Sequence, residues 1–64
     1  MTRVIKLAQV IEITSLSSAT IYRLIKTGQF PKQLKLAQRS SGWLEEEINN
    51  WLDSKRINRD GGVS

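Results

Sequence analysis

Residues 15–31 read SLSSATIYRLIKTGQFP, and this segment constrains the fold most because it specifies both ends of a helix. Ser17 suits the N-cap, since its hydroxyl can accept a hydrogen bond from the otherwise unpaired amide of Ala19 or Thr20. Leu16 before the cap and Ile21 in the second turn form a hydrophobic-staple pair that sets the angle at which the chain enters the helix. Thr20 stands where a capping box would place Glu or Gln, so that motif is half present. At the other end Gly28 can take the left-handed conformation that closes a helix, and Pro31 forbids continuation. The spacing predicts a helix from Ser18 to about Thr27. At about 100° per residue, Ile21, Leu24 and Ile25 fall on one face, and Ala19, Tyr22, Arg23 and Lys26 fall on the opposite one.

Upstream, Leu7, Val10, Ile11 and Thr14 repeat at helical spacing behind an extended apolar lead-in, Val4 and Ile5, which predicts a first helix from about Lys6 to Ile13. Thr14 to Ser17 then forms a tight connection. Two helices joined this way, the second opening with small polar residues and displaying Tyr and Arg away from its apolar face, describe a helix-turn-helix. Small side chains let the helix end approach DNA, where its amides and positive dipole end meet a phosphate.

Beyond Pro31 the period changes to two. Lys32, Leu34 and Leu36 alternate with Gln33, Lys35 and Ala37, "QRSSG" reads as a turn, and Trp43 with its neighbours forms the return strand. Residues 32–43 are thus expected to be a basic hairpin, a wing, with Arg39 at its tip. The last helix begins near Leu44 or Glu45 and places Ile48, Trp51 and Leu52 on one face. Glu45, Glu46 and Glu47 in its first turn, and Lys55 and Arg56 in its last, match the helix dipole. These acids are structural in this reading, because consecutive residues project in different directions and no His stands beside them. Trp51 and Trp43 are expected as core anchors. Residues 1–56 are expected to form a winged helix-turn-helix DNA-binding domain, and residues 57–64, INRDGGVS, a frayed, flexible tail.

Composition narrows the function. A chain of 64 residues is one domain with a stability of only a few kcal/mol and no room for a buried active-site cleft. It has no His and no Cys, which removes the commonest general base, the thiolate nucleophile, disulfides and zinc sites built on those ligands. No enzyme, cofactor or metal is expected. No apolar run approaches the ~20 residues that span a bilayer, and the N-terminus lacks a secretory h-region, so a soluble cytoplasmic protein with no membrane partner is expected. The net charge of +4 is unevenly placed: residues 1–12 sum to +1, residues 13–44 to +5 with no acid, and the remainder to −2. A one-signed middle segment attracts a polyanion, and nucleic acid is the natural one.

The stretch LSSATIYRLIKTGQFPKQLKLAQRSSGWLEEEINNWL resembles the AlpA family of small phage and prophage regulators. Its pattern is a Leu-Ser/Thr segment, T-I-Y-R-L, G-x-F-P, K-x-x-K-L, R-x-x-G-W and a closing E-x-x-x-W-hydrophobic, and the match covers residues 5–52. The resemblance implies a MerR-like winged helix-turn-helix, mainly α with a small β-hairpin, three helices plus a wing. It further implies a DNA-binding transcriptional regulator, an excisionase-type directionality factor, or both. By the same analogy Ser18, Thr20, Tyr22 and Arg23 match the DNA-facing helix, and Arg39 matches the wing. Many members have Gly after the K-L pair where this chain has Ala37 and Gln38, a departure that bears on the wing contacts more than on the helix contacts.

The expected DNA-binding residues are therefore Ser17, Ser18, Ala19, Thr20, Tyr22, Arg23, Lys26, Lys35 and Arg39. Arg23 suits a bidentate contact to guanine, Ala19 a thymine methyl, and Ser17, Ser18 and Tyr22 phosphate or base-edge bonds, while Lys26, Lys35 and Arg39 hold the backbone. A single short module buries about 600 to 1,000 Å² on double-stranded DNA. Repeated sites are thus expected, occupied by a protein that is monomeric in solution or weakly self-associating on tandem sites, since no long coiled-coil helix is present. The expected protein partners are an integrase or RNA polymerase. A rival reading from another class is a protein-interaction adaptor that docks through the acidic last helix.

Overall fold

The computed structural model describes residues 3–63, with side-chain environments for residues 3–59. Strand β1 (Val4–Ile5) leads into helices α1 (Leu7–Thr14) and α2 (Ser18–Lys26), then strands β2 (Leu34–Ala37) and β3 (Ser40–Leu44), and finally helix α3 (Glu45–Val63). The expected class holds: three helices and a small antiparallel sheet in a winged helix-turn-helix arrangement.

The first two helices sit close to their predicted bounds. Lys6 is the extended N-cap of α1, and its amide donates to the Gln9 side-chain oxygen at 3.3 Å. A lysine ammonium has no lone pair, so it cannot return the second bond of a capping box. The turn is held without glycine. Ser15 lies in the left-handed region at φ 62° and donates its amide to Ile11 O at 2.7 Å, while the Thr14 hydroxyl donates to Val10 O and accepts from the Leu16 amide. Ser17 caps α2 as expected, its hydroxyl accepting from the Thr20 amide at 3.2 Å and donating to the Thr20 hydroxyl at 2.9 Å. At the far end Gly28, at φ 77°, donates to Ile25 O, and Gln29 donates to Leu24 O. That pair of bonds is a Schellman closure, which needs a left-handed residue at the position Gly28 occupies.

The sheet departs from the sequence reading in three places. The lead-in Val4–Ile5 is a strand: it pairs antiparallel with β3, Val4 opposite Leu44 and Ile5 opposite Trp43, so the strand order is β1-β3-β2. The turn of the wing is shorter than QRSSG, because β2 ends at Ala37 and β3 begins already at Ser40. A register shift between Lys35 and Ala37 brings Ala37 opposite Ser40, leaving only Gln38 and Arg39 in the turn. Gly42 is then a strand residue. A Cβ there would lie 2.8 Å from both Ile5 O and Val4 Cγ1, so glycine is required by the close passage of β1.

The core draws one buried side chain from nearly every segment: Ile5, Val10, Ile21, Phe30, Trp43 and Ile48. Strand β2 contributes none, all four of its residues being exposed. The two tryptophans are not equivalent. Trp43 is 1% exposed and its indole N–H donates to Pro31 O at 2.9 Å. Trp51 is half-buried at the rim, donating to Gln29 O at 2.8 Å, with the Lys55 ammonium 5.2 Å from its ring centroid. Phe30 stands edge-on to both, 6.5 Å from Trp43 and 4.7 Å from Trp51.

Helix α3 runs past the expected end at Arg56. Residues 57–63, expected as a frayed tail, are helical, and Ser64 lies outside the described residues. Once nucleated, a helix extends at the cost of one residue's dihedrals per added bond, and no Pro follows Arg56 to stop it. Ile57, the apolar residue that opens the extension, is exposed.

Trp43→Ala is expected to remove about 3 to 5 kcal/mol, comparable with the whole stability of a domain this small, and Trp51→Ala to cost less. Urea denaturation of the two variants checks this order, and equal losses would show that the rim position is as deeply packed as the centre. Ser17→Ala should cost about 1 kcal/mol through the lost cap, read as a lower melting temperature with native-like circular dichroism.

Candidate nucleic-acid interface

Helix α2 turns its apolar side inward, Ile21 fully buried and Leu24 and Ile25 packed against the core. The opposite side is then dictated by geometry: Ala19, Tyr22, Arg23 and Lys26 follow the i, i+3, i+4, i+7 spacing of a single stripe, and all four are exposed. Tyr22 is 45% exposed although it is a large aromatic. Ser17 and Ser18 are exposed at the start of the helix, where the first-turn amides point outward. Thr20 differs from the rest of the expected set. It is half-buried, and its hydroxyl is engaged by Ser17, so it serves the cap more than the surface.

The wing brings Arg39 into a cleft with Tyr22 and carries Lys35 on the face of the sheet that holds Trp43. Successive strand residues alternate faces, so Ser41 shares the face of the buried Trp43, and Lys35, which pairs with Ser41, shares it too. Lys35 therefore rises from the sheet face that packs on the helices but lies beyond the core, exposed. Leu34, opposite Gly42, points to the other face. Arg39, the second turn residue, is exposed at the tip, as expected.

A cleft of about 360 Å³ joins these parts, lined by Tyr22 of α2, Gln33, Arg39 and Ser41 of the wing, and Lys6 at the start of α1. Lys6 is absent from the set read in the sequence. Its ammonium donates to Ser40 Oγ at 2.7 Å and to Ser41 O at 3.0 Å, contacts across 34 and 35 positions of the chain that no local pattern announces. The only local signal was its charge.

Acids are kept elsewhere. Glu45 pairs with Arg3 at 2.7 Å and Asp53 approaches Arg56 at 3.9 Å, both on the α3 side. Arg23, Lys26, Lys32, Lys35 and Arg39 form no ion pair among the described residues, so the positive field of α2 and the wing is not cancelled locally. Among the described residues no group of His, Cys, Asp and Glu could hold a metal ion, and no helix is long and apolar enough to cross a membrane.

The family model described as prophage CP4-57 regulatory protein (AlpA) matches residues 3–57. The chain is 33% identical over 60 residues to the uncharacterized protein ORF88 of Enterobacteria phage P4, covering 94% of this chain and 68% of that protein. It is 36% identical over 59 residues to the DNA-binding transcriptional activator AlpA of Escherichia coli, covering 83% of this chain and 84% of the relative. No solved structure matches it significantly. A family model spanning most of the chain, together with a relative aligned along most of both lengths, bears out the resemblance carried by T-I-Y-R-L, G-x-F-P and R-x-x-G-W: the chain belongs to the AlpA family of prophage regulatory proteins.

Proposed function

We propose that this protein is a sequence-specific DNA-binding regulator of transcription that reads a major groove with α2 and grips the adjacent backbone with the wing. The observation that carries the proposal is the exposed stripe of Ala19, Tyr22, Arg23 and Lys26, with Arg39 of the wing sharing a cleft with Tyr22 and Lys35 exposed on the wing, neither cation in an ion pair among the described residues. An aromatic and an arginine exposed on a short helix serve no core, whereas in a groove the guanidinium fork fits the O6 and N7 of guanine and the Ala19 methyl fits a thymine methyl. Ser17, Ser18 and Tyr22 supply hydroxyls for phosphate or base edges, and Lys26, Lys35 and Arg39 supply point contacts to phosphates. The name of the Escherichia coli relative, a DNA-binding transcriptional activator, supports the same reading.

Nothing in this mechanism is catalytic: the protein acts by occupying DNA, and it needs no cofactor. A protein that regulates transcription this way works in the cytoplasm. One short module contacts too few base pairs for high specificity, so we infer tandem sites on which neighbouring copies help one another, with RNA polymerase as the partner to be recruited or blocked. Nothing separately favours the excisionase reading or an integrase partner.

Salt and two substitutions test the proposal. If about four of the five central cations meet phosphates, log K should fall with log salt with a slope of about −3.6. Absence of binding to a random duplex at low salt would overturn the DNA reading in favour of an adaptor docking through the acidic start of α3. Arg23→Ala should weaken the specific complex by about 1 to 3 kcal/mol and relax preference at one or two base positions, while Lys35→Ala should weaken all sequences alike and reduce the slope by about one unit. Thermal melts of both variants come first, as a check on folding. Full discrimination retained by Arg23→Ala would make Arg23 a phosphate contact, with sequence read by the turn residues or by DNA shape.

A further inference from the structure

We propose that the cleft between the start of α1, Tyr22 and the wing seats one phosphate of the DNA backbone, with Lys6 as its fixed cation and Arg39 as the cation that closes over it. The proposal rests on the DNA-binding reading and adds to it a site and a residue, Lys6, that neither the sequence pattern nor the family match assigns.

Three observations carry it. The first is charge. Among the described residues the cleft holds Lys6 and Arg39 and no carboxylate, whereas a second cleft contains Glu12 and Glu45 beside Arg3, and a third contains Glu47 beside Lys55. An anion entering the first cleft meets cations alone.

The second is the way Lys6 is held. A lysine ammonium has three donors and no acceptor. Two of them go to Ser40 Oγ and Ser41 O, neutral oxygens that orient the group without cancelling its charge, and the third is left for a ligand. A lysine on open surface must lose its freedom on binding, but here much of that freedom is already gone, which favours association. Tyr22 and Gln33 line the same space, and a hydroxyl and an amide are neutral donors suited to the remaining phosphate oxygens.

The third is position. The stripe on α2 and the tip of the wing lie on either side of the cleft, one contributing Tyr22 to its lining and the other Arg39. A duplex that presents a groove to the first and backbone to the second must lay a strand of phosphates between them. The cleft is the concave point on that line.

The experiment uses the full chain and a fluorescent random duplex of about two helical turns, with binding followed by anisotropy across a salt series. Lys6→Gln keeps an amide that can donate toward Ser40 and Ser41 and removes the charge. It is expected to reduce the salt slope by about 0.9 and to weaken all sequences alike. A lysine that only staples the wing to α1 would lower the melting temperature and leave the slope unchanged, and that outcome overturns the proposal. Should Lys6→Gln not fold, lysine acetylation of the wild-type chain asks the same question: Lys6 should be modified more slowly with the duplex bound than without it, and an equal rate overturns the proposal. Wild-type protein that binds no duplex at low salt overturns the DNA reading itself, whereas binding with Lys6 unaffected in these tests removes the cleft alone.

Discussion

The indole of Trp43 joins the parts of this molecule that would otherwise be independent. Its backbone pairs with Ile5 in β1, its N–H is bonded to Pro31 O, and its ring meets Phe30 edge-on. A buried indole N–H needs a partner, since leaving one unsatisfied costs more than an ordinary hydrogen bond contributes. Meeting that need fixes the path of the chain from the end of α2 into the wing. Trp51 reinforces the same loop one step back by bonding Gln29 O, so the segment 29–31 is gripped from two sides. The orientation of the wing relative to α2 follows from these two bonds.

The hairpin needs such an anchor because β2 has no core residue of its own. Its position depends on β3, which packs inward through Trp43 and is held on its other edge by β1. Gly42 permits that pairing, because any side chain there would meet β1 at 2.8 Å. The Arg3–Glu45 ion pair and the Glu45 amide bond to Arg3 O then tie β1 to the start of α3. Solvent-exposed pairs of this sort contribute little energy. Their consequence is spatial: they hold Glu45 away from the basic side. Acidic groups thus gather on the α3 side, while the cations of α2 and the wing form no ion pair among the described residues.

The core of this small domain is thin, six buried side chains among the described residues, supported by a rim of partly buried ones. Apolar groups are also left in the open, Leu34 and Leu36 on the wing and Ile13 on α1 among them. Scattered exposed apolar residues are ordinary in soluble proteins. In the wing they reflect a two-stranded hairpin that projects beyond the body it is attached to.

What the sequence determined by itself is what local chemistry controls. The start of α2 at Ser17 and its closure at Gly28 depend on hydrogen bonds between near neighbours, and the stripe of Ala19, Tyr22, Arg23 and Lys26 follows from helical spacing and the apolar residues opposite. The one-signed charge of residues 13–44 was legible for the same reason, needing only a count. The tertiary structure alone decided the rest. Val4 and Ile5 are a strand only because β3 comes alongside, Gly42 is indispensable only because β1 passes over it, and Trp43 outranks Trp51 because β1 and the segment 29–31 both converge on it. The length of α3 is a related case: the helix runs on past its packed face, to Val63. Lys6 is the furthest from view. Its place beside Arg39 and Tyr22 depends on bonds to Ser40 and Ser41, and a pattern read along the chain carries no information about contacts that form only when distant segments pack together.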